Sequence, residues 1–242
     1  MIGIIGAMDI EVNILVEKMT DIQDYKIAGS TYHIGKLNGV DTAVVVCGIG
    51  KVCAAMSAQI LIDRFNVSSI INTGIAGGLD DRLRVGDIVI ATDAVQHDFD
   101  ITVFGYAKGG FPCYDGPKGI TSHFNADKEL SDSIEKSANS LIENCKVLRG
   151  TVASGDKFIS DDSDRSSLKT NFSAAAAEME GGAIAQVCYL NKIPFAIIRA
   201  ISDLAGDNAG ISYEEFEKFA AERSAKILLK AVQAKSVCQM VK

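Results

Sequence analysis

The sequence Glu178-Met179-Glu180, followed by the apolar run 193–198 and by Arg199-Ala-Ile-Ser-Asp203, decides the fold. It places carboxylates at the ends of two successive predicted strands, where open α/β sheets bind their ligands. A third carboxylate, Glu11, lies just past the first predicted strand. Three carboxylates at one edge of a sheet predict general acid/base chemistry on a polar small molecule.

Apolar runs of strand length alternate with helix-period segments along the chain, which predicts a layered α/β fold with a mixed, partly curled sheet. The predicted strands are 1–5, 42–47, 69–72, 87–91, 147–152, 174–178 and 195–201, with antiparallel additions at 31–37 and 93–102. The predicted helices are 9–19, 51–65, 126–144, 181–191 and 212–237. Ser212 and Glu215 have the spacing of a capping box at the start of the last helix, and 105–119 is predicted as a long loop.

Composition favours one domain that spans residues 1–242, because the chain is 48% hydrophobic and has only three prolines. A net charge of -7 disfavours binding to nucleic acid, because the phosphate backbone is itself negatively charged. The basic residues Arg82 and Arg84 are interleaved with aspartates and are interpreted as a solvated loop.

The chain starts with an apolar segment that has no basic region before it, and no apolar run reaches the ~18 residues of a membrane helix. We therefore expect a cytoplasmic protein. The six cysteines and three histidines are dispersed and contain no C-x-x-C pair, which argues against a disulfide framework and predicts no metal.

Two glycine-rich segments follow predicted strands. Gly48-Ile-Gly-Lys51 is interpreted either as a plain strand-to-helix turn or as a loop whose amides bind a ligand, and it lacks the spacing of a triphosphate loop. The second segment, 73–78, includes Ala76 and Gly77 and does not have the G-x-G-x-x-G pattern. It is interpreted as a flat backbone shelf for a planar ring, with a structural turn as the alternative.

The individual carboxylates have different local settings. Glu11 lies in the first turn of a helix, where an exposed acid that complements the helix dipole is the alternative to a functional role. Glu178 and Glu180 point the same way if the segment is extended, so at least one lies near the core, where sugar hydroxyls could donate to it.

Asp203 ends a strand buried on both faces, and Ser202 can hold it by a local hydrogen bond. Partial desolvation would keep Asp203 protonated and able to donate, whereas the alternative is an aspartate that opens a turn.

Seven motifs, in this order, resemble the 5'-methylthioadenosine/S-adenosylhomocysteine nucleosidases of the nucleoside phosphorylase superfamily. They are Gly3-Ile-Ile-Gly-Ala-Met-Asp-Ile-Glu11, Cys47-Gly-Ile-Gly-Lys51, Asn72-Thr-Gly-Ile-Ala-Gly-Gly78, Val85-Gly-Asp-Ile-Val89, Ser154-Gly-Asp-Lys-Phe158, Glu178-Met-Glu180 and Arg199-Ala-Ile-Ser-Asp203. The resemblance implies a three-layer α/β/α fold with a central twisted mixed sheet. It also implies cofactor-free hydrolysis of an N-glycosidic bond, which yields adenine and a thioribose.

The same resemblance implies a role for individual residues. Asp203 would protonate N7 of adenine, Glu11 would activate the attacking water, and Glu180, with Met179 beside it, would bind the ribose hydroxyls. The further implied contacts are Phe158 on the purine face, the Ile159 backbone on the purine edge, and Met8, Ile49 and Tyr213 at the ribose and 5' end. Ile101 and Phe104 would reach the pocket of a second subunit in a homodimer, although these residues could also belong to a self-packed loop.

Three alternative functions stay open. A purine nucleoside phosphorylase is disfavoured because phosphate needs arginine or dense amide donors, and similar phosphorylases carry arginine where this chain has Asn72. A nucleosidase for an aminodeoxyfutalosine would use the same machinery. A non-catalytic nucleoside-binding protein gains support from Ile75, where the family usually has serine. Tyr213, where the family usually has phenylalanine, adds a hydroxyl at the 5' end.

Overall fold

The computed structural model describes residues 1–112, 120–141, 145–206 and 209–240. The strands are β1 (Ile2–Gly6), β2 (Met19–Ile27), β3 (Ser30–Leu37), β4 (Val40–Val46), β5 (Ser69–Gly78), β6 (Ile88–Gln96), β7 (Phe111–Pro112), β8 (Ile120–Thr121), β9 (Phe124–Asn125), β10 (Val147–Ser154), β11 (Ala174–Glu178) and β12 (Phe195–Asp203). The helices are α1 (Asp9–Glu17), α2 (Lys51–Phe65), α3 (Lys128–Leu141), α4 (Asp162–Phe172), α5 (Gly181–Asn191) and α6 (Ala209–Met240).

The large sheet has the strand order β11-β10-β6-β12-β5-β1-β4-β3-β2, with β9 attached to β6. Strand β12 runs parallel to β5 and antiparallel to β6, so the sheet is mixed. The far end of β5 also pairs with β11, where Gly77 lies opposite Ala177 and Gly78 opposite Ala176. This extra pairing closes β5, β12, β6, β10 and β11 into a ring, which confirms the prediction of a mixed and partly curled sheet.

Helices cover the sheet on both faces, because alternate residues of each strand point to opposite sides. In β1, Ile5 packs into a cluster with α2 and α5, whereas Ile4 packs into a second cluster with α1, α3 and α6. Both isoleucines are fully buried. The three-layer α/β/α prediction is therefore confirmed. Among the described residues, no helix combines the length and apolar character that crossing a bilayer requires.

Several elements differ from the sequence-based prediction. Strand β2 and helix α4 were not predicted, because β2 is almost wholly exposed and α4 buries only Leu168 and Phe172. The segment 73–78 is the second half of strand β5 rather than a loop. The two predicted strands 87–91 and 93–102 are one strand, β6, which pairs in parallel with β10.

The last helix starts earlier than predicted. Helix α6 begins at Ala209, so Ser212 lies inside the helix and the capping-box prediction for its start is wrong. Part of the predicted loop 105–119, namely residues 113–119, lies outside the described residues. The described part of that region contains a 3-10 turn at Thr102–Phe104 and the short strand β7.

Candidate active site

Glu11 is buried and folds back over the end of β1. Its Oε2 accepts hydrogen bonds from the backbone N–H of Ala7 at 2.6 Å and of Met8 at 3.1 Å, and its Oε1 accepts from the N–H of Ile75 on β5 at 3.1 Å. Glu11 is therefore not an exposed first-turn acid. Burial raises the pKa of its carboxyl group, and the Arg199 charge and the three N–H donors offset this only in part.

Gly74 of strand β5 has no side chain, and this allows Glu11 and Arg199 to lie close to each other. A Cβ atom at Gly74 would overlap Oε1 of Glu11 and would lie 2.9 Å from Nη1 of Arg199. Any side chain at this position would therefore separate Glu11 from the guanidinium. The glycine of the Asn72-Thr-Gly motif is required here by close packing.

Arg199 is the centre of the buried charge cluster, and the sequence did not predict a role for it. Its side chain is 1% exposed, and its Nη2 donates to Oε2 of Glu178 and to Oδ1 of Asn72. The same nitrogen lies 3.9 Å from Oε2 of Glu180. Its position in a strand buried on both faces is the signal that could have revealed it, because a buried guanidinium needs a carboxylate partner.

The Glu178 carboxylate is enclosed by protein donors. Besides Arg199, it accepts hydrogen bonds from the Ser154 hydroxyl, from the N–H of Glu180 at 3.1 Å and from the N–H of Gly181 at 2.8 Å. Burial alone would raise the pKa of this carboxyl, but the Arg199 charge and the hydrogen bonds outweigh it and hold the pKa below its ordinary value. Glu178 is therefore ionised, and both of its oxygens are bonded to donors of the protein itself.

Glu180 has a different environment from Glu178, although only one residue separates them. It is the N-cap of α5, with φ -130° and ψ -42°, so the expectation that both acids project from one extended segment is wrong. Its Oε1 accepts a hydrogen bond from the N–H of Gly50 at 2.9 Å. Burial and the negative charge of Glu178 raise the pKa of Glu180 to about 7, against the opposing effects of Arg199 and Gly50.

Asp203 ends β12 opposite Gly77 of β5 and is buried. Its Oδ1 accepts from the N–H of Ala205 at 2.7 Å, and its Oδ2 accepts from the Ser202 hydroxyl at 2.9 Å, the local bond that the sequence suggested. Burial raises the pKa of Asp203, while these two hydrogen bonds lower it by less. A Cβ atom at Gly77 would lie 2.9 Å from Oδ1, so glycine again allows a carboxyl group to approach β5.

The two acids meet at the same part of the sheet. Glu11 is bonded to Ile75, and Asp203 lies beside Gly77, so their anchoring points are two residues apart on β5, about 7 Å along a strand. Glu180 lies near the same two acids, because Arg199, which is close to Glu180, also lies beside Gly74 of β5. The structure therefore brings the three predicted carboxylates into one region.

Aromatic and apolar side chains form one side of this region. The rings of Phe158 and Tyr213 pack edge to face, with centroids 5.6 Å apart and planes at 89°. The Tyr213 hydroxyl donates to Sδ of Met8 at 3.4 Å, and Met8 in turn donates its N–H to Glu11. Phe158 is 42% exposed, which leaves its ring available to a ligand.

The other predicted contact residues differ in how far their side chains are exposed. Ile49 is exposed and precedes Gly50, which binds Glu180, whereas the Ile159 side chain is buried in a separate cluster with Leu79 and Ala205. Phe104 is 75% exposed and so has little contact with the other described residues. Within the described part of the chain, no group of three or more His, Cys, Asp or Glu side chains has the arrangement of a metal site.

Comparisons with known proteins agree on one family. The sequence model of the Phosphorylase superfamily matches residues 1–233. The 5'-methylthioadenosine/S-adenosylhomocysteine nucleosidase of Staphylococcus haemolyticus is 44% identical over 229 residues, which cover 94% of this chain and 97% of that protein. The crystal structure of the corresponding nucleosidase of Colwellia psychrerythraea, in complex with adenine, has a TM-score of 0.89 at 42% identity and covers 96% of this chain and 93% of the other. The futalosine hydrolase of Helicobacter pylori has a TM-score of 0.88 at 30% identity, with 96% and 97% coverage.

Removing the Arg199 charge tests the buried cluster. We expect Arg199→Met to lower the free energy of unfolding by about 3–5 kcal/mol, because Glu178 then stays buried without a counter-charge. Arg199→Lys should recover only part of this loss, because an ammonium group cannot bridge Glu178 and Asn72 with the planar fork of a guanidinium. The measurement is urea unfolding, with Arg82→Met, which breaks an exposed pair with Asp80, as the control. A loss in Arg199→Met no larger than in the control would contradict the structural role.

Proposed function

This chain belongs to the phosphorylase superfamily, and we propose that it is an N-glycosidic hydrolase that releases adenine from 5'-methylthioadenosine and S-adenosylhomocysteine. The observation that carries the proposal is the buried Asp203, whose pKa burial raises, anchored two strand positions away from the contact of the buried Glu11 on β5. One group can give a proton to the leaving base, and the other can take a proton from water. Residues 1–242 act as a single domain in this proposal.

Asp203 is the general acid. Adenine is a poor leaving group as an anion, and protonation at N7 lets it leave as a neutral molecule. Burial raises the pKa of Asp203, which favours the protonated carboxyl group that this transfer requires. Ser202 and the Ala205 N–H fix its orientation.

Glu11 is the general base that activates water. Its raised pKa makes it a better proton acceptor than an exposed carboxylate, and its three backbone donors fix the position of both oxygens. The nearby carboxylates also stabilise the positive charge that develops on the ribosyl carbon as the glycosidic bond breaks.

The charge balance favours water over phosphate as the nucleophile. Glu11, Glu178 and Glu180 surround a single guanidinium, and Nη2 of Arg199 is already bonded to Glu178 and Asn72. A phosphate dianion would meet these carboxylates, and the guanidinium nitrogen nearest to them already has two protein partners. These contacts support a hydrolase over a purine nucleoside phosphorylase.

The remaining contacts bind the nucleoside. Glu180, flanked by Met179, uses Oε1 for Gly50 and keeps capacity for a ribose hydroxyl. Because every oxygen of Glu178 is occupied by protein donors, we assign Glu178 to positioning Arg199 and the start of α5 rather than to the sugar. The other proposed contacts are Phe158 on the adenine face, the Ile159 backbone, Ala76 and Gly77 at the base, and Met8, Ile49 and Tyr213 at the 5' end.

A non-catalytic binding protein loses its main support in this structure. Ile75 packs into the apolar cluster shared with α6. Asp203 obtains its two hydrogen bonds from Ser202 and Ala205, so its orientation does not depend on a hydroxyl at position 75. An aminodeoxyfutalosine-type nucleosidase stays open as the second candidate, because the neighbour described as a futalosine hydrolase has the same fold.

The decisive experiment is adenine release from 5'-methylthioadenosine with and without phosphate. We expect release that does not depend on phosphate. Release that requires phosphate would identify a phosphorylase, and no release from methylthioadenosine, adenosylhomocysteine or an aminodeoxyfutalosine would identify a binding protein.

Two substitutions test the assigned roles. Asp203→Asn should lower kcat by about 10²–10⁴-fold with adenine binding retained, because an amide cannot supply the proton. Glu11→Gln should lower kcat by a similar factor, because an amide does not accept the proton of water. Asp24→Asn, on the exposed strand β2, is the matched control. Near-normal turnover in either active-site variant would remove that residue from its role.

The pH dependence follows from the two raised pKa values. We expect kcat/KM to rise with pH as Glu11 loses its proton, and to fall at higher pH as Asp203 loses the proton that it must donate. Initial rates from about pH 4 to about pH 10, with the fold checked by circular dichroism at each pH, measure both limbs. A rate without an alkaline limb would exclude Asp203 as the acid.

We also propose that the protein is a homodimer in the cytoplasm. Exposed apolar side chains on the 3-10 turn support the dimer, because Val103 and Phe104 are 85% and 75% exposed among the described residues. Ile101 and Phe104 would then reach towards the 5' end of the partner's pocket. Sedimentation equilibrium should give twice the chain mass of 25.7 kDa, and Phe104→Ser should shift the equilibrium towards monomer. A monomer at micromolar concentration would contradict the proposal.

A further inference from the structure

The start of helix α2 and two loops at the rim of the active site are joined by a closed ring of hydrogen bonds. The Lys51 ammonium donates to Oδ1 of Asp98 at 2.6 Å, and the N–H of Lys51 donates to Oδ1 of Asp156 at 2.8 Å. The N–H of Asp156 donates to Oδ2 of Asp98 at 2.9 Å, which completes the ring. These residues follow β4, β6 and β10 respectively, so the ring ties the ends of three strands together.

Asp156 is exposed, but the Lys51–Asp98 pair of the ring is more shielded than an ordinary surface ion pair. The side chains of Lys51 and Asp98 are 18% and 30% exposed, and the ammonium also donates to Oε1 of Gln96 at 3.2 Å. Burial alone would raise the pKa of Asp98, but the Lys51 ammonium and the Asp156 N–H hold it below its ordinary value. Lys51 and Asp98 are therefore a charged pair whose geometry is fixed by further donors.

The ring is connected to two groups that bind the nucleoside in the proposed function. Gly50, which precedes Lys51, donates its N–H to Glu180, and Asp156 lies two residues before Phe158. The contact between these loops is tight, because a Cβ atom at Gly50 would lie only 3.0 Å from Oδ1 of Asp156. A movement of Lys51 would therefore displace both the Gly50 amide and the loop that carries Phe158.

We propose that Lys51, through its bonds to Asp98 and Asp156, is a positioning residue that sets the affinity of the site for the nucleoside. It holds the Gly50 amide against Glu180 and holds Phe158 over the base. The inference rests on the proposed function for the identity of the ligand. It assigns a specific task to the lysine of the Gly-Ile-Gly-Lys51 segment, which lies outside the acid and base machinery.

The location of the ring determines which kinetic constant should change. Glu11 is held by β1 and β5, and Asp203 by Ser202 and Ala205, so neither group depends on Lys51. Loss of the ring should therefore weaken ground-state binding and leave the chemical step nearly intact. Such a change raises KM with little effect on kcat.

The experiment compares Lys51→Met with Lys51→Arg, Asp98→Asn and a matched control, Lys128→Met, which removes an exposed pair with Asp132. For Lys51→Met we expect the KM for methylthioadenosine to rise about tenfold, with kcat within about threefold of the wild type. Adenine binding, measured by titration calorimetry without turnover, should weaken by about fivefold or more. Asp98→Asn should reproduce both changes, Lys51→Arg should restore both constants to within about threefold, and Lys128→Met should change neither.

The outcomes separate the two proposals. If the wild type binds adenine but releases none from nucleosides, the proposed function fails, and weaker adenine binding by Lys51→Met would still support the positioning role. Unchanged KM and adenine affinity in Lys51→Met overturn the role, whether or not the wild type is a hydrolase. A lower kcat and thermal stability with unchanged KM would show that the ring only stabilises the fold, which also overturns it. Absence of adenine binding in the wild type would overturn both proposals.

Discussion

The buried ion pair between Arg199 and Glu178 is the constraint on which the rest of the site depends. Removing a guanidinium and a carboxylate from water is costly, so each needs several further partners to remain charged. Asn72 of β5, Ser154 of β10 and the first amides of α5 supply them. The same bonds therefore fix the relative positions of β5, β10, β11, β12 and α5. Side chains at these strand ends are therefore held in fixed relative positions.

Four carboxyl groups in this region illustrate how environment sets the protonation state of one chemical group. Direct contact with Arg199 keeps the pKa of Glu178 low, whereas Glu180, which is farther from the guanidinium and close to Glu178, has its pKa raised to about 7. Burial without a contacting cation raises the pKa of Asp203. In the proposed function these four groups are a structural anion (Glu178), a ligand-binding carboxylate (Glu180), a base (Glu11) and an acid (Asp203), and their different distances from one arginine support this division.

Strand β5 acts as the support for this arrangement because it lacks side chains at two points. Gly74 allows Glu11 and Arg199 to approach each other, and Gly77 allows Asp203 to approach the strand. The intervening Ile75 donates its N–H to Glu11, and its side chain packs in the apolar cluster formed with α1 and α6. Backbone amides and missing Cβ atoms thus contribute as much to the geometry as the charged side chains do.

The sequence by itself determined the α/β class, the strands that end in acids and the Ser202 to Asp203 bond, because apolar period and near neighbours are local properties of the chain. It did not determine β2, which is almost wholly exposed, α4, which buries only two side chains, or the start of α6. Only the tertiary structure decided that Arg199 pairs with Glu178, 21 residues away, that the Glu180 side chain accepts from Gly50, and that Lys51 contacts Asp98 and Asp156. These contacts depend on which strand ends become neighbours in the sheet, and strand order is set by long-range packing that no local pattern records.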